Sequence, residues 1–257
     1  MNRITLMFEA AKKERRKALV GFLTAGDPGM AVSERNMLAA LESGVDLLEI
    51  GVPFSDPTAD GPAIQAAGAR ALGAGATLGG IIGMAGRLRA ASDAPMILFS
   101  YANPLFHRGY ERVADEAAAA GVDGFLAVDL PFEEASEFRA LLAARSLFFI
   151  PLVAPTTPEP RMREILSDAG GFVYYIMVKG VTGLRAEAAP DMKEHIEALR
   201  RCTKLPIAAG FGVGNGAQAR AVAAHADAVV VGSALVEAAR QGRLESLVRE
   251  LSGALRG

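Results

Sequence analysis

Short apolar runs alternate with longer, more polar segments along almost the whole chain. Each run is rich in β-branched residues or phenylalanine, and eight of them can be recognised. Runs of this length between longer segments are typical of buried strands in repeated βα units, which pair into a parallel sheet. The runs are Ala18–Thr24, Val45–Gly51, Pro95–Tyr101, Gly124–Asp129, Phe148–Val153, Phe172–Val178, Pro206–Gly210 and Ala226–Val231.

The segments between the runs predict helices that cover the outside of this sheet. They are rich in Ala, Glu and Arg, and several end in a small-residue turn, where glycine relieves the left-handed end of a helix. Met1–Lys17 alternates charged and apolar positions and predicts an extra N-terminal amphipathic helix. The clearest other helical segments are Ala31–Glu42, Glu111–Ala120, Glu133–Ala144 and Ala217–Ala224.

Eight βα units favour a closed (β/α)8 TIM barrel of the α/β class over an open doubly wound sheet of six strands. The chain has 257 residues, the length of one such barrel, so we expect a single domain over residues 1–257. In this fold the loops after the strands build the active site. Residues at the C-terminal ends of the runs are therefore the candidates for chemistry.

Charge and cysteine content exclude several classes of protein. The formal net charge of −2 predicts no broad attraction to nucleic acid or to an anionic membrane. No run approaches the about 20 apolar residues of a spanning helix. The N-terminus lacks the continuous apolar stretch of a signal peptide. Cys202 is the only cysteine and cannot form an internal disulfide, so we expect a cytoplasmic protein.

Glu49, near the end of the second run, is the first candidate for chemistry. Strand alternation places its side chain on the same face as Leu47, which points either into the barrel mouth or towards the helices. A glutamate against the helices would be paired with an arginine or a lysine. A glutamate inside the barrel would have a raised pKa and could serve as a general acid and base.

Asp60 lies in a long loop after the same run, and long structured loops are usually functional. Gly51–Pro62 holds three prolines and two acids, more than a plain connection needs. Because Pro62 can begin a helix, Asp60 could cap that helix. The alternative is that the Asp60 carboxylate accepts a hydrogen bond from a substrate N–H.

Three glycine-rich turns follow the last three runs and predict a phosphate site. Each lets backbone N–H groups approach an anion, and the last two open helices whose N-termini carry partial positive charge. The TIM barrel commonly binds phosphate at this position. The alternative is that they are only tight connections, which are common at βα junctions. The turns are Gly180–Gly183, Gly210–Gly214 and Gly232–Ala234.

Aromatic residues and histidines give weaker signals. Four aromatic residues near strand ends are candidate pocket walls, although such residues also fill the top of a barrel. The three histidines are scattered, without a shared face or ligand spacing, and predict no metal site. The aromatic residues are Phe22, Tyr101, Tyr174 and Phe211, and the histidines are His107, His195 and His225.

One segment, Leu48–Gln65, carries a resemblance to a known family. It reads LEIGVPFSDPTADGPAIQ and resembles the signature of tryptophan synthase α chains. Its Pro-Phe-Ser-Asp-Pro stretch argues against other phosphate-binding barrels, such as sugar-phosphate isomerases or indole-glycerol-phosphate synthase. The resemblance covers nearly the whole chain. Further matches are Thr24–Pro28, Tyr101–Pro104, Val128–Pro131, Gly180–Gly183, Gly210–Val213 and Gly232–Ala234.

The resemblance implies a lyase that splits indole-3-glycerol phosphate into indole and glyceraldehyde 3-phosphate. Glu49 would move a proton at indole C3, while Asp60 would hold the indole N–H and stabilise positive charge on that nitrogen. The loop with Thr182 would close over the site. The family further implies phosphate contacts from the backbones of Gly183, Gly212, Gly232 and Ser233, and a pocket of Phe22, Ile64, Tyr101, Leu126, Tyr174, Thr182 and Phe211.

The resemblance also implies a partner, a tryptophan synthase β subunit in an α2β2 heterotetramer. Pyridoxal phosphate would belong to that β subunit, and this chain would hold no cofactor. A stand-alone lyase that releases free indole, or a non-catalytic regulatory subunit, are the alternatives. Met177-Val178-Lys179 departs from the serine-containing pattern of the family, which bears on loop closure. The partner contacts would be Pro53 and Asp56 in one loop and Asn103 and Phe106 in another.

Overall fold

The computed structural model describes residues 2–176, 191–210 and 212–256. Within these ranges nine parallel strands form one sheet in the order β5-β4-β3-β2-β1-β9-β8-β7-β6. The predicted barrel is confirmed. The strands are β1 (Ala18–Thr24), β2 (Leu47–Gly51), β3 (Met96–Ser100), β4 (Gly124–Ala127), β5 (Phe148–Phe149), β6 (Leu152–Val153), β7 (Val173–Ile176), β8 (Ile207–Gly210) and β9 (Ala228–Val231).

Helices cover the outside of the sheet, and the extra N-terminal helix is present. Among the described residues no single helix is long and apolar enough to cross a bilayer. The pair α3 and α4 reaches the required length and apolar composition only together, and the two helices are bent by 101° relative to each other. The helices are α1 (Arg3–Lys13), α2 (Met30–Ser43), α3 (Pro62–Gly73), α4 (Leu78–Ala91), α5 (Ala102–Arg108), α6 (Tyr110–Ala119), α7 (Ser136–Ala143), α8 (Glu159–Ile165), α9 (Asp191–Cys202), α10 (Gly216–Ala223), α11 (Ser233–Arg240) and α12 (Leu244–Leu255).

The fifth predicted run forms two strands instead of one, and this break closes the barrel. β5 pairs with β4, whereas β6 pairs with β7, at the other end of the sheet. Only Ile150 and Pro151 separate the two, and proline has no N–H for a strand ladder. The Ile150 N–H donates to Phe125 O at 2.7 Å, and Pro151 O accepts from the Tyr174 N–H at 2.9 Å. The eight predicted units are therefore retained.

The boundaries of several elements differ from the predicted ones. The helix predicted at Glu133–Ala144 begins only at Ser136, after a turn that starts near Pro131. Most strands are shorter than their apolar runs because the end residues leave the ladder for the loops. Met177 and Val178, at the end of the sixth run, lie outside the described residues.

Strand alternation divides the apolar residues between the barrel interior and the layer under the helices. The interior cluster contains Val20, Leu47 and Ile97, whereas their chain neighbours Leu19, Leu48 and Leu98 pack against helices. The N-terminal helix α1 closes the N-terminal end of the barrel. Its Ile4 and Phe8 join the interior cluster, and the Phe8 ring lies 5.7 Å from that of Phe172.

Three aspartates fix the N-terminal ends of strands in the same way. Asp46, Asp123 and Asp227 each precede a strand and accept the N–H of a residue in the neighbouring strand. Asp123 accepts from Met96 N at 2.9 Å and pairs with Arg89 at 2.8 Å. The equivalent partners are Leu19 and Arg16 for Asp46, and Ile207 and Arg200 for Asp227. These bonds set the register of adjacent strands.

Replacing Asp123 by alanine should therefore destabilise the fold strongly. Its side chain is 3% exposed, and its loss leaves Arg89, whose side chain is 12% exposed, without its carboxylate partner. Breaking a buried pair in this way costs about 3–5 kcal/mol. Urea unfolding measures the change. Asp115→Ala is the control, because Asp115 is 62% exposed beside Arg145 and should cost much less. Equal losses in the two variants would contradict this role.

Candidate active site

Glu49 lies inside the barrel, near the C-terminal end of β2. It stands in register between Phe22 of β1 and Ile97 of β3, and it shares the inward face with Leu47. Its side chain is fully buried. The interpretation of Glu49 as a helix-facing residue in an ion pair is therefore wrong.

The Glu49 carboxyl group has no polar partner among the described residues. Both carboxyl oxygens are buried without a hydrogen bond. Burial raises the pKa of Glu49 from 4.5 to about 8, because a charged carboxylate loses its hydration in the apolar interior. The group is therefore mainly a neutral acid at pH 7 and can still lose its proton, as general acid–base catalysis requires.

Phe22 covers the space next to Glu49. Its ring lies directly on Gly51, where a Cβ atom would sit only 2.3 Å from Phe22 Cζ. Only glycine permits this close approach. The Phe22 ring also meets the edge of Phe99 at 5.3 Å. These rings make the surroundings of Glu49 apolar, which is the cause of its raised pKa.

Asp60 ends the loop between β2 and α3, and its carboxyl group is half-buried. The capping interpretation is wrong, because Gly61 occupies the N-cap position and α3 has no side-chain cap. Burial raises the pKa of Asp60, while a hydrogen bond from Tyr101 lowers it in part. The side chain is left available to a ligand.

Two tyrosines lie near these carboxyl groups. Tyr101 is 2% exposed, and its hydroxyl accepts a hydrogen bond from the Ala59 N–H at 2.9 Å. The Tyr101 pKa is raised to about 12, mainly by burial and to a smaller extent by the charge of Asp60. Burial raises the pKa of Tyr174 well above its usual value, and the charges of Glu49 and Asp60 add to the rise. Both carboxyl groups therefore act on the same phenol.

The N-terminus of α11 offers a place for an anion. α11 begins at Ser233, and its N-cap residue, Gly232, provides no side-chain cap. Two observations bring this end next to the pocket. A Cβ atom on Gly232 would lie 3.6 Å from Ile64 Cδ1 and from Phe22 Cβ, and one on Gly61 would lie 3.8 Å from Ser233 Oγ. Helix N-termini attract phosphate groups in such positions.

The turn after β8 differs from the prediction that it opens a helix directly. α10 starts only at Gly216, and the Asn215 side chain already caps it by accepting from the Gln218 N–H. The turn still lies beside α11, since a Cβ atom on Gly214 would be 3.9 Å from Ala234 Cβ. Gly212 has a φ of 60° and is exposed there.

The remaining predicted residues fall into three groups. Leu126 is fully buried in the barrel interior. The predicted partner contacts are surface residues or half-buried ones, and Phe106 is 71% exposed. The third group lies outside the described residues: the site residues Thr182, Gly183 and Phe211, the anion turn Gly180–Gly183 and the departure Met177-Val178-Lys179. The partner contacts are Pro53, Asp56, Asn103 and Phe106.

Phe99 and Phe54 contribute to the site but were not singled out from the sequence. Phe99 packs against Phe22, and the Phe54 ring lies 5.0 Å from that of Tyr101. Phe99 could have been found by alternation, because it is two residues before Tyr101. Phe54 gave no periodic signal, since it belongs to an irregular loop.

Comparison with known proteins points to one family. The family model for the tryptophan synthase alpha chain matches residues 8–252. The tryptophan synthase alpha chain of Geobacter sulfurreducens is 46% identical over 252 residues, which cover 98% of this chain and 96% of that protein.

Solved structures are similar over their whole length. A chain from Aquifex aeolicus VF5 is 39% identical with a TM-score of 0.93 and complete coverage of both chains. Tryptophan synthase from M. tuberculosis, in a ligand-free form, contains a chain with 32% identity, a TM-score of 0.93 and complete coverage of both.

The raised pKa of Glu49 should make stability depend on pH. Between 4.5 and about 8 the folded chain holds a proton that the unfolded chain has lost, so the free energy of unfolding falls as pH rises. Each pKa unit is worth about 1.4 kcal/mol. Glu49→Gln cannot lose this proton, and its stability relative to the unchanged chain should increase by a few kcal/mol across that window.

Urea unfolding at several pH values measures this difference. Glu49→Met removes the carboxyl group without leaving an amide and should follow the same trend as Glu49→Gln. Stability curves that run parallel to that of the unchanged chain would show that Glu49 titrates normally.

Proposed function

The chain belongs to the tryptophan synthase alpha chain family, and we propose that Glu49 and Asp60 carry out the reaction of this family in it. That reaction is the cleavage of indole-3-glycerol phosphate into indole and glyceraldehyde 3-phosphate, a step in tryptophan biosynthesis. The observation that carries the proposal is the unpaired Glu49 carboxyl group, buried in the barrel with a pKa of about 8.

Glu49 supplies the proton that starts the reaction. The bond between indole C3 and the glycerol chain breaks only when the ring can accept its electrons. Neutral Glu49 donates a proton to C3, which produces an indoleninium cation that still carries its N–H. Its carboxylate then accepts the proton of the hydroxyl on the carbon next to the ring, that carbon becomes the aldehyde, and the bonding electrons return to the indole.

Asp60 stabilises the charge that this protonation creates. Positive charge develops on the ring nitrogen, and a carboxylate that accepts the indole N–H lies next to it. A fixed group of opposite charge lowers the energy of the charged state without reorganisation. The half-buried position of Asp60 strengthens the effect, because less water screens the interaction.

The remaining predicted residues bind and orient the substrate in this proposal. The N-terminus of α11 at Gly232 and Ser233, with the turn at Gly212, holds the phosphate group. Phe22, Leu126 and Tyr174, together with Ile64 and Tyr101, enclose the indole and glycerol portions. Thr182, Gly183 and Phe211 are assigned to the same site by the family pattern alone.

The family assigns pyridoxal phosphate to the beta subunit, and the alpha chain carries no cofactor. Alpha chain identity implies a tryptophan synthase beta partner.

We propose an α2β2 heterotetramer, in which Pro53, Asp56, Asn103 and Phe106 face the beta subunit. Phe106 supports this, because its side chain is 71% exposed and aromatic residues are enriched at protein interfaces. We further propose one catalytic domain over residues 1–257 that works in the cytoplasm, where the single free Cys202 stays reduced.

Replacing Glu49 by glutamine should abolish most of the activity while the fold is retained. An amide cannot donate and recover a proton, and general acid–base catalysis contributes about 10²–10⁴-fold to rates. Release of indole from indole-3-glycerol phosphate measures the turnover number. Glu42→Gln is the control, because Glu42 is exposed at the end of α2. A fully active Glu49→Gln variant would refute the proposed role.

The purified chain should release indole slowly by itself and faster with a tryptophan synthase beta subunit. Light scattering should give the mass of two alpha and two beta chains. Phe106→Ala should weaken the complex, whereas Leu6→Ala should not, since Leu6 is 48% exposed on α1 at the opposite end of the barrel. Fast turnover without any complex would favour a stand-alone lyase, and no turnover in either condition would favour a non-catalytic subunit.

A further inference from the structure

Tyr101 reaches from the end of β3 to the loop that carries Asp60. Its hydroxyl oxygen accepts a hydrogen bond from the N–H of Ala59, the residue before Asp60, at 2.9 Å, and the same hydroxyl lowers the pKa of the Asp60 carboxyl group. A phenol has a single proton and can accept as well as donate. Because Ala59 uses the oxygen as acceptor, the proton is free to be donated to the Asp60 carboxylate.

This contact is the link between the end of the loop and another strand of the barrel. Among the described residues, the other hydrogen bonds of residues 57–61 stay within the loop and α3. The Asp60 N–H donates to Pro57 O at 3.1 Å, and Gln65 Nε2 donates to Asp60 O at 2.9 Å. Without the Tyr101 hydroxyl, Asp60 would be held only by its own βα unit.

Tyr101 is itself fixed on several sides. Its side chain is 2% exposed, and its ring packs on Phe54 with a centroid distance of 5.0 Å. The carbonyl of Tyr101 accepts from Ser100 Oγ at 2.9 Å, and the next residue, Ala102, donates its N–H to Asp129 at 2.7 Å. The hydroxyl therefore offers a rigid reference point to the loop.

We propose that Tyr101 is a positioning residue whose hydroxyl holds the loop at Ala59 and thereby keeps the adjacent Asp60 carboxylate in the orientation that receives the indole N–H. This inference rests on the proposed role of Asp60 and goes beyond the pocket-wall role expected for Tyr101. A counter-charge is most effective when it is in place before positive charge develops. The Tyr101 hydroxyl also opposes the effect of burial, which raises the Asp60 pKa, and so favours the ionised form of Asp60.

The ionisable groups around Asp60 come from three elements. Tyr101 from the end of β3 bonds to the adjacent Ala59 and lowers the Asp60 pKa, and Tyr174 from β7 experiences the charge of Asp60. Glu49 from β2 acts on the same Tyr174 phenol. Of these groups, Tyr101 is the one that both contacts the loop next to Asp60 and has a hydroxyl that can be removed without removing a carboxyl group.

The test is Tyr101→Phe in the full-length chain, which keeps the ring and its contact with Phe54. Because a small misplacement of a reacting group can cost up to about hundredfold in rate, loss of the hydroxyl that holds the loop should lower kcat about ten- to hundredfold. KM should change little, and the Asp60 pKa should rise. Steady-state kinetics over pH and carboxyl ¹³C NMR of labelled aspartate measure these effects, with the Asp60 signal identified by its absence in Asp60→Asn.

Tyr110→Phe is the matched control, because Tyr110 is half-buried on α6 and stacks on Phe138 at 4.8 Å. It should leave kcat and the Asp60 titration unchanged. Unchanged kcat in Tyr101→Phe, or a fall in kcat with an unchanged Asp60 titration, would overturn the positioning role. The failure of the proposed function is distinct, since Asp60→Asn itself would then keep its full turnover.

Discussion

Glu49 keeps a carboxyl group without a polar partner, among the described residues, in the apolar interior of a closed barrel. β2 places it there, in register between Phe22 and Ile97, and the Phe22 ring over Gly51 adds to its apolar surroundings. Burial destabilises the carboxylate and makes the group an acid at neutral pH. The site therefore depends on a barrel wall that stays closed, because water beside Glu49 would restore its ordinary pKa.

The two ends of the barrel divide stability and chemistry between them. At the N-terminal end, Asp46, Asp123 and Asp227 satisfy strand N–H groups and arginines, and α1 fills the opening with Ile4 and Phe8. At the C-terminal end, polar groups are left for a ligand. This division is physically reasonable, because unpaired polar groups cost stability and must be supported by well-satisfied ones elsewhere.

The site combines groups that belong to different kinds of element. Glu49 is part of a strand, whereas Asp60 belongs to an irregular loop that the Tyr101 hydroxyl joins to β3. The N-terminus of α11 approaches Phe22, Ile64 and Gly61 from a third direction. Charge stabilisation requires these groups to be fixed relative to one another, so contacts between βα units are as important as the residues that touch the substrate.

The sequence by itself determined the barrel, its extra N-terminal helix and the family, which the motif Leu48–Gln65 indicates. Apolar periodicity and local motifs are properties of neighbouring residues. The sequence could not decide whether Glu49 faced the interior or the helices, or whether Asp60 capped α3. It also missed the break at Pro151 and the contacts of Phe54 and Phe99. Only the tertiary structure decided these points, since burial, strand register and the reach of Tyr101 to Asp60 arise between segments that are distant along the chain.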